Sequence, residues 1–143
     1  MRRQMMAVLV AVGVLMPLAP AMAGEMTLYK NPQCGCCEGH AAYLEQQGYR
    51  VKVVSTDALA KVKAMAGVPP QLESCHTILV DGYVVEGHVP VAAIRKLLTE
   101  KPAVRGIALA GMPQGSPGMS GEKDGPFVVE SFGGGNTAVF AVE

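Results

Sequence analysis

Neither sign of charge dominates this chain of 143 residues: 12 Lys and Arg balance 12 Asp and Glu. A nucleic-acid partner wants a basic patch or stripe, and the composition offers none. Beyond the N-terminal segment there is no second long apolar run, so nothing after it reads as a membrane span. Internal repeats are absent too, which excludes the stacked-repeat architectures. Cysteine is scarce, with four residues, and histidine scarcer, with three. What is informative is where those few residues fall.

The N-terminal run is not part of the fold. Arg2 and Arg3 form a short basic start, Met5 to Leu18 is apolar apart from Gly13 and Pro17, and Ala21-Met22-Ala23 is a small-x-small cleavage site. That is the pattern of a secretory signal peptide. A transmembrane anchor needs about 20 apolar residues, and this run falls short and closes on Pro20. We therefore expect residues 1–23 to be a cleaved signal peptide and 24–143 to be a single domain, long enough to bury a core. The mature chain keeps 10 basic and 12 acidic residues and retains Met26, Met65, Met112 and Met119. The short signal suits a bacterium, hence export to the periplasm, with no membrane attachment after cleavage.

Three of the four cysteines lie in Cys34-Gly35-Cys36-Cys37, and the fourth is Cys75. An exported chain with an even cysteine count is usually a disulfide scaffold. Here the vicinal Cys36 and Cys37 are awkward for simple staples, and a scaffold would spread its cysteines. A thiophilic metal or redox chemistry accounts for the clustering better.

The coarse secondary structure places the cluster. Met26 to Lys30 reads as a strand, followed by an Asn31-Pro32-Gln33 turn and a helix over Glu38 to Gln47 with Ala41 and Leu44 on the face of Cys37. Gly48 is its expected stop. Tyr49 to Val54 alternates as a strand. Ser55, Thr56 and Asp57 offer a cap for a second helix with Leu59, Val62, Met65 and Ala66 at helical spacing, ended by Gly67-Val68-Pro69-Pro70. Thr77 to Val80, the Asp81-Gly82 turn and Tyr83 to Glu86 predict a hairpin. Pro90 then opens a third helix over Val91 to Thr99. The order is β-α-β-α-β-β-α, that of a thioredoxin-like α/β fold. Gly106 to Gly121 reads as a wandering surface loop. Phe127 to Phe132 and Thr137 to Val142 read as a C-terminal β-hairpin extension, packed on or added to the sheet.

A thiol at a helix N-terminus meets unpaired amides and the positive end of the helix dipole, which favour the thiolate. Cys34 and Cys37 stand in the C-x-x-C relation of disulfide oxidoreductases, but Cys36 is a third sulfur that a simple dithiol does not require. In thioredoxin-like folds the residue before the third strand, usually a cis-proline, packs on the C-x-x-C loop. Cys75-His76-Thr77 takes that place here, so convergence of four sulfurs is expected in preference to an accidental buried cysteine. A single tetrahedral Zn²⁺ normally uses two separated chelating pairs. A compact triplet plus a singleton suits the softer Cu(I) better.

The remaining donors have competing readings. His76 either ligates beside Cys75 or points away along the strand. His88 either ties its loop or lies near the site, and the second is preferred. His40 follows Cys36 by four positions and Cys37 by three, yet a solvated helix-face histidine is the expectation. Met112 and Met119 form a thioether arm or, more ordinarily, anchor the loop. Met26 and Met65 are expected in the core.

Four segments taken together, Pro32-Gln33-Cys34-Gly35-Cys36-Cys37, Ser74-Cys75-His76-Thr77, Val85-Glu86-Gly87-His88-Val89-Pro90 and Met112-Pro113-Gln114-Gly115-Ser116-Pro117-Gly118-Met119, resemble the bacterial CopG-type copper-resistance proteins. These belong to a wider family of metal-binding proteins long described as a domain of unknown function. The resemblance runs from Thr27 to about Met119. It implies a periplasmic copper-binding protein, with a multinuclear thiolate-bridged cluster as one form of the site and Cu(I)/Cu(II) interconversion as one activity. Carried over by position, the metal ligands are Cys34, Cys36, Cys37 and Cys75, with weaker transfer to His88 and Met119. His40 is not part of that pattern. Copper ions and other periplasmic copper-handling proteins are the implied partners. The alternatives are a thiol–disulfide oxidoreductase using Cys34 and Cys37, resolved by Cys36 or Cys75, and a structural zinc module.

Overall fold

In the computed structural model, residues 24–143 are described; the expected signal peptide, 1–23, lies outside them. Ten regular elements follow in order: β1 (Glu25–Lys30), α1 (Gly35–Gln46), β2 (Arg50–Ser55), α2 (Leu59–Ala66), β3 (His76–Val80), β4 (Tyr83–Glu86), α3 (Val91–Glu100), β5 (Gly106–Ala108), β6 (Val128–Phe132) and β7 (Ala138–Val142). A short 3₁₀ turn, Pro70–Leu72, precedes β3. All seven strands form one mixed sheet in the order β2-β1-β3-β4-β5-β6-β7. The pairs β1/β2 and β4/β5 are parallel, bridged by α1 and α3 respectively, and the other four pairs are antiparallel. No helix among the described residues is long and apolar enough to cross a membrane.

The pleat divides the core into two layers. Leu28, Ile78, Val85 and Ile107 lie side by side across β1, β3, β4 and β5. They pack with Cys37, Ala41 and Leu44 of α1 and Ala93, Ile94 and Leu97 of α3. On the other face Val84, Ala108 and Phe132 pack with Ala66 of α2 and with Val68 and Leu72. Because strand side chains alternate, neighbours along β3 face opposite layers: His76 toward α1 and α3, Thr77 toward α2.

Local chemistry sets the element ends. Gly48, at φ +92, ends α1. The Gly48 N–H donates to the Glu45 carbonyl at 2.9 Å and the Tyr49 N–H to that of Leu44 at 3.2 Å, the paired bonds of a Schellman stop. Asp81 and Gly82, at φ +47 and +82, make the positive-φ turn that a two-residue hairpin needs. The Thr56 hydroxyl accepts the Ala58 N–H at 3.1 Å, just ahead of α2.

Three expectations are corrected. The helix over Glu38 to Gln47 starts three residues earlier, at Gly35, so Cys36 and Cys37 lie inside its first turn. The surface loop Gly106 to Gly121 begins with a buried strand, β5, which carries the sheet on to β6 and β7. Its glycine-rich surroundings mask a three-residue apolar segment, and Gly106 is glycine because a Cβ there would run into the Val84 carbonyl. Met65, expected in the core, is 75% exposed. Helix α2 is turned so that Leu59, Lys63 and Ala66 face inward, because Lys63 has a buried carboxylate to meet.

The loop after β5 returns to α1 at Gly118. That residue sits at φ +83, and a Cβ added to it would strike the His40 backbone nitrogen and come 2.8 Å from the Cys36 carbonyl oxygen. Gly111, at φ +69, has open space around it. Gly111→Ala should therefore cost only left-handed strain, about 1–2 kcal/mol. Gly118→Ala adds a backbone collision and should cost more. Urea unfolding of both variants measures the difference, and equal losses would mean that the Gly118 contact with α1 is not tight.

Candidate metal centre

The first wall of the centre is the start of α1. The chain leaves β1 at Lys30, whose ammonium is buried and donates to the carbonyls of Asn31 at 3.3 Å and Pro32 at 3.1 Å. It also pairs with Glu38 of α1 at 3.0 Å. The Cys34 N–H closes the turn on Asn31 at 3.1 Å. Cys34 is the extended residue that opens the helix, and its side chain makes no capping hydrogen bond. Cys37 points into the core and is fully buried, while Cys34 and Cys36 are half-buried.

The second wall is Cys75, one residue before β3. Its Sγ lies 3.9 Å from Cys36 Sγ, and Cys36 Sγ lies 3.5 Å from Cys34 Sγ. Cys37 Sγ is 3.6 Å from the Cys75 carbonyl oxygen. The four sulfurs are all within 4.8 Å of one another, so the convergence expected from the sequence is present. Cys34 and Cys37 are joined as a disulfide, with Cα atoms 5.4 Å apart, and Cys36 and Cys75 are free. Presenting all four sulfurs as thiolates thus requires reduction of that link first. A cleft of about 340 Å³, bordered by Asn31, Cys34, Asp57, Lys63, Ser74 and Cys75, opens the site to solvent.

Behind Cys75, on the α2 face, lies a buried ion pair the sequence reading did not anticipate. Lys63 Nζ pairs with the Glu86 carboxylate and donates to Thr77 Oγ1 at 3.1 Å. Thr77 Oγ1 donates to the other Glu86 oxygen at 2.6 Å, and the Ser74 backbone N–H donates to Glu86 at 2.7 Å. Burial raises the Glu86 carboxyl above its ordinary range, and Lys63, Thr77 and the Ser74 amide oppose that rise. Glu86 thereby anchors the residue that precedes Cys75. The one cue in the sequence is that Lys63 falls four after Leu59, on the helix face that Leu59 buries.

On the α1/α3 face all three histidines gather. His40, His76 and His88 are each fully buried, with ligand atoms within 4.8 Å of one another. This corrects the expectation of a solvated His40. The spacing Cys37, His40, Ala41, Leu44 is one helical stripe, and the whole stripe is buried. His76 points inward beside Cys75, and His88 both lies 2.8 Å from Cys75 Sγ and ties its loop to the Pro117 carbonyl. Met119 is half-buried and follows Gly118, which touches α1, whereas Met112 is 55% exposed.

Hydrogen bonds fix the imidazole tautomers. A carbonyl only accepts, so His40 Nε2 donates to Val89 O at 3.1 Å and His88 Nδ1 donates to Pro117 O at 2.7 Å. All three rings are neutral. Burial, then the charge of His88, lowers His40 to about 3 against the support of Val89. Burial, then His40, His88 and Lys63, holds His76 well below its ordinary value. Burial also lowers His88 against its bond to Pro117. A neutral His40 accepts at Nδ1, so His76 Nε2 donates to it at 2.7 Å. The lone pairs left over, His76 Nδ1 and His88 Nε2, lie 3.4 and 2.8 Å from Cys75 Sγ. Cys75 itself is pushed up to about 12, by burial first and then by Cys36, so in the metal-free protein it is a thiol.

These lowered imidazoles give a pH dependence. An unfolded histidine titrates near 6.5, so below that pH the unfolded chain binds more protons than the folded one. The stability held by three neutral rings is complete above about pH 6.5 and falls in acid, by up to about 1.4 kcal/mol per pH unit for each ring. Urea midpoints of the metal-free protein should drop steadily from about pH 7 to pH 5. His40→Gln should make that drop shallower, and a flat profile in the wild type would contradict neutral burial.

Comparison with solved structures finds two close neighbours. "Copper resistance protein copG- Form 2" superimposes with a TM-score of 0.78 at 36% identity, covering 85% of this chain and 98% of that one. "Copper resistance protein copG- Form 1" gives a TM-score of 0.77 at the same identity and coverage. Residues 72–119, which hold Cys75, His76, His88 and Met119, match the family described as "Protein of unknown function, DUF411". No curated protein matches the sequence. With identity at that level along nearly the whole of a solved relative, and with four cysteines brought together, the chain belongs to the CopG copper-resistance protein family.

Proposed function

We propose that this protein is a periplasmic copper-binding protein of a copper resistance system, taking Cu(I) through Cys34, Cys36, Cys37 and Cys75, with His88 and Met119 as further donors. The observation that carries the reading is the set of four sulfurs within 4.8 Å, assembled from segments 38 residues or more apart in sequence. Thiolate sulfur selects soft Cu(I), and it bridges ions as well as binding them singly. The strand order β2-β1-β3-β4, with α1 crossing between the parallel β1 and β2, supports a thioredoxin-like frame. On that frame the cluster sits where a redox dithiol would, which also supports Cu(I)/Cu(II) interconversion as its activity. Export under a cleaved signal places the site where incoming copper is met.

The Cys34–Cys37 disulfide favours a second reading, a thiol–disulfide oxidoreductase. Against it, Cys75 stands where a substrate-holding cis-proline would be. The structural zinc module keeps only the ligand count in its favour.

Anaerobic titration of the reduced protein with Cu(I), in competition with a chromophoric chelator, is expected to give more than one Cu(I) per chain. Cys75→Ser should lower that capacity. One bound Zn²⁺ with no competitive copper uptake would sink the copper reading. The air-oxidised protein, left with Cys36 and Cys75 as its only thiols, should bind less Cu(I) than the reduced one and recover after reduction. In an insulin-reduction assay we expect negligible turnover. Robust turnover that survives Cys36→Ser and Cys75→Ser would establish the oxidoreductase instead.

A further inference from the structure

The two ends of the Cys34–Cys37 disulfide differ in access. Cys37 is fully buried in the core, whereas Cys34 is half-buried and borders the cleft of about 340 Å³. A cleft of that volume falls within the range that takes up ligands. Thiol–disulfide exchange proceeds by attack of a thiolate on a sulfur it can reach, through a mixed disulfide. Here the reachable sulfur is Cys34, which makes Cys37 the leaving group. Cys37 lies in the first turn of α1, where the helix dipole favours a departing thiolate.

The rim of the cleft is acidic. Asp57, just ahead of α2, and Glu73, two residues before Cys75, both border it and are both exposed. Neither carboxylate forms an ion pair among the described residues. The one cation on the lining, Lys63, is committed to Glu86. A thiol approaching Cys34 therefore meets net negative charge, and a cleft of one sign concentrates visitors of the other.

We propose that this cleft docks a cysteine-bearing segment of a partner protein dithiol, with basic residues flanking the cysteine, and that the partner reduces the Cys34–Cys37 disulfide by attacking Cys34 Sγ. The four-sulfur site needs that reduction before all its sulfurs can act as thiolates, but the inference rests on the disulfide and its cleft and on no metal. A bond forms between the partner's sulfur and Cys34 as the Cys34–Cys37 bond breaks, and Cys37 leaves with the electron pair and takes up a proton. The partner's second thiol then attacks the partner's own sulfur in the mixed disulfide. That closes the partner's disulfide and releases Cys34, which is protonated in turn. Two electrons pass to this chain, and the two protons lost by the partner's thiols balance the two gained by Cys34 and Cys37. A dithiol fits the geometry because both electrons arrive through the one open side in a single encounter.

The test compares three thiols on the oxidised, metal-free protein: a short peptide with lysines flanking a single cysteine, the same peptide with glutamates there, and 2-mercaptoethanol. Each rate of disulfide opening, read by acid quench, alkylation and mass spectrometry, is divided by that thiol's rate with hydroxyethyl disulfide to remove intrinsic reactivity. At low salt the lysine peptide should exceed the glutamate peptide by about tenfold or more, and 1 M salt should narrow the gap. Asp57→Asn/Glu73→Gln should erase the difference and leave the 2-mercaptoethanol rate unchanged. Peptide mapping should place the first adduct on Cys34. Equal normalised rates for the two peptides, or a gap that survives the double variant, overturns the docking proposal. So does 2-mercaptoethanol matching the lysine peptide, which would make the cleft a port for small thiols. A first adduct on Cys37 overturns attack at Cys34. Copper uptake by the reduced protein is read separately, so the copper reading stands or falls apart from these outcomes.

Discussion

Everything at the candidate metal centre depends on the antiparallel register of β1 with β3, in which Lys30 lies opposite His76. The chain leaves β1 four residues before Cys34 and enters β3 one residue after Cys75. Pairing the end of one strand with the start of the other puts both cysteine-bearing segments at the same end of the sheet. No loop has to reach across the molecule. A slip of one residue would turn every side chain of β3 to the opposite face. His76 would then leave the imidazole group, and Thr77 would leave Glu86.

That register also explains how so much polarity is tolerated around one strand. The α1/α3 face takes three neutral histidines, and the α2 face takes a lysine, a glutamate and a threonine. Each buried group finds partners within its own layer. Breaking a buried ion pair such as Lys63–Glu86 strands a charge and costs about 3–5 kcal/mol, so the pair holds α2 in one rotation. It is this rotation that exposes Met65. Through the Ser74 amide the same carboxylate fixes the segment carrying Cys75. The apolar row Leu28, Ile78, Val85 and Ile107 supplies the burial that drives the sheet together, and the polar groups specify how it is aligned.

Much of this was legible in the sequence, and the physical reasons differ from residue to residue. Period-two alternation, Asp81-Gly82 and Gly48 are local signals, and they gave the strands, the hairpin and the end of α1. The partnership of Cys75 with the triplet was legible only through an expected topology, since nothing local links positions 38 residues apart. His40 was misjudged although its place on the stripe of Cys37, Ala41 and Leu44 was in view; a polar residue type outweighed its position. The pairing of Lys63 with Glu86 had no local signal, because a lysine enters a core only when a specific carboxylate meets it there. Strand β5 was hidden because it is three residues long, and its pairing comes from β4 and β6, both distant in sequence.

The balance of charge at the site links protons, electrons and metal. Cys75 rises to about 12 because burial penalises an isolated thiolate and Cys36 adds to the penalty. The one buried ammonium bordering the cleft, Lys63, is already neutralised by Glu86. The opening turn of α1 contributes only about half a positive charge. Without metal, Cys75 is therefore stable as a thiol, and Cys34 and Cys37 are joined as a disulfide. A metal ion entering the site would have to displace the Cys75 proton, and use of all four sulfurs would first require two electrons for the disulfide. Four thiolates would leave a doubly negative charge around a single divalent ion, with little nearby to offset it, whereas several monovalent Cu(I) ions neutralise the group more completely.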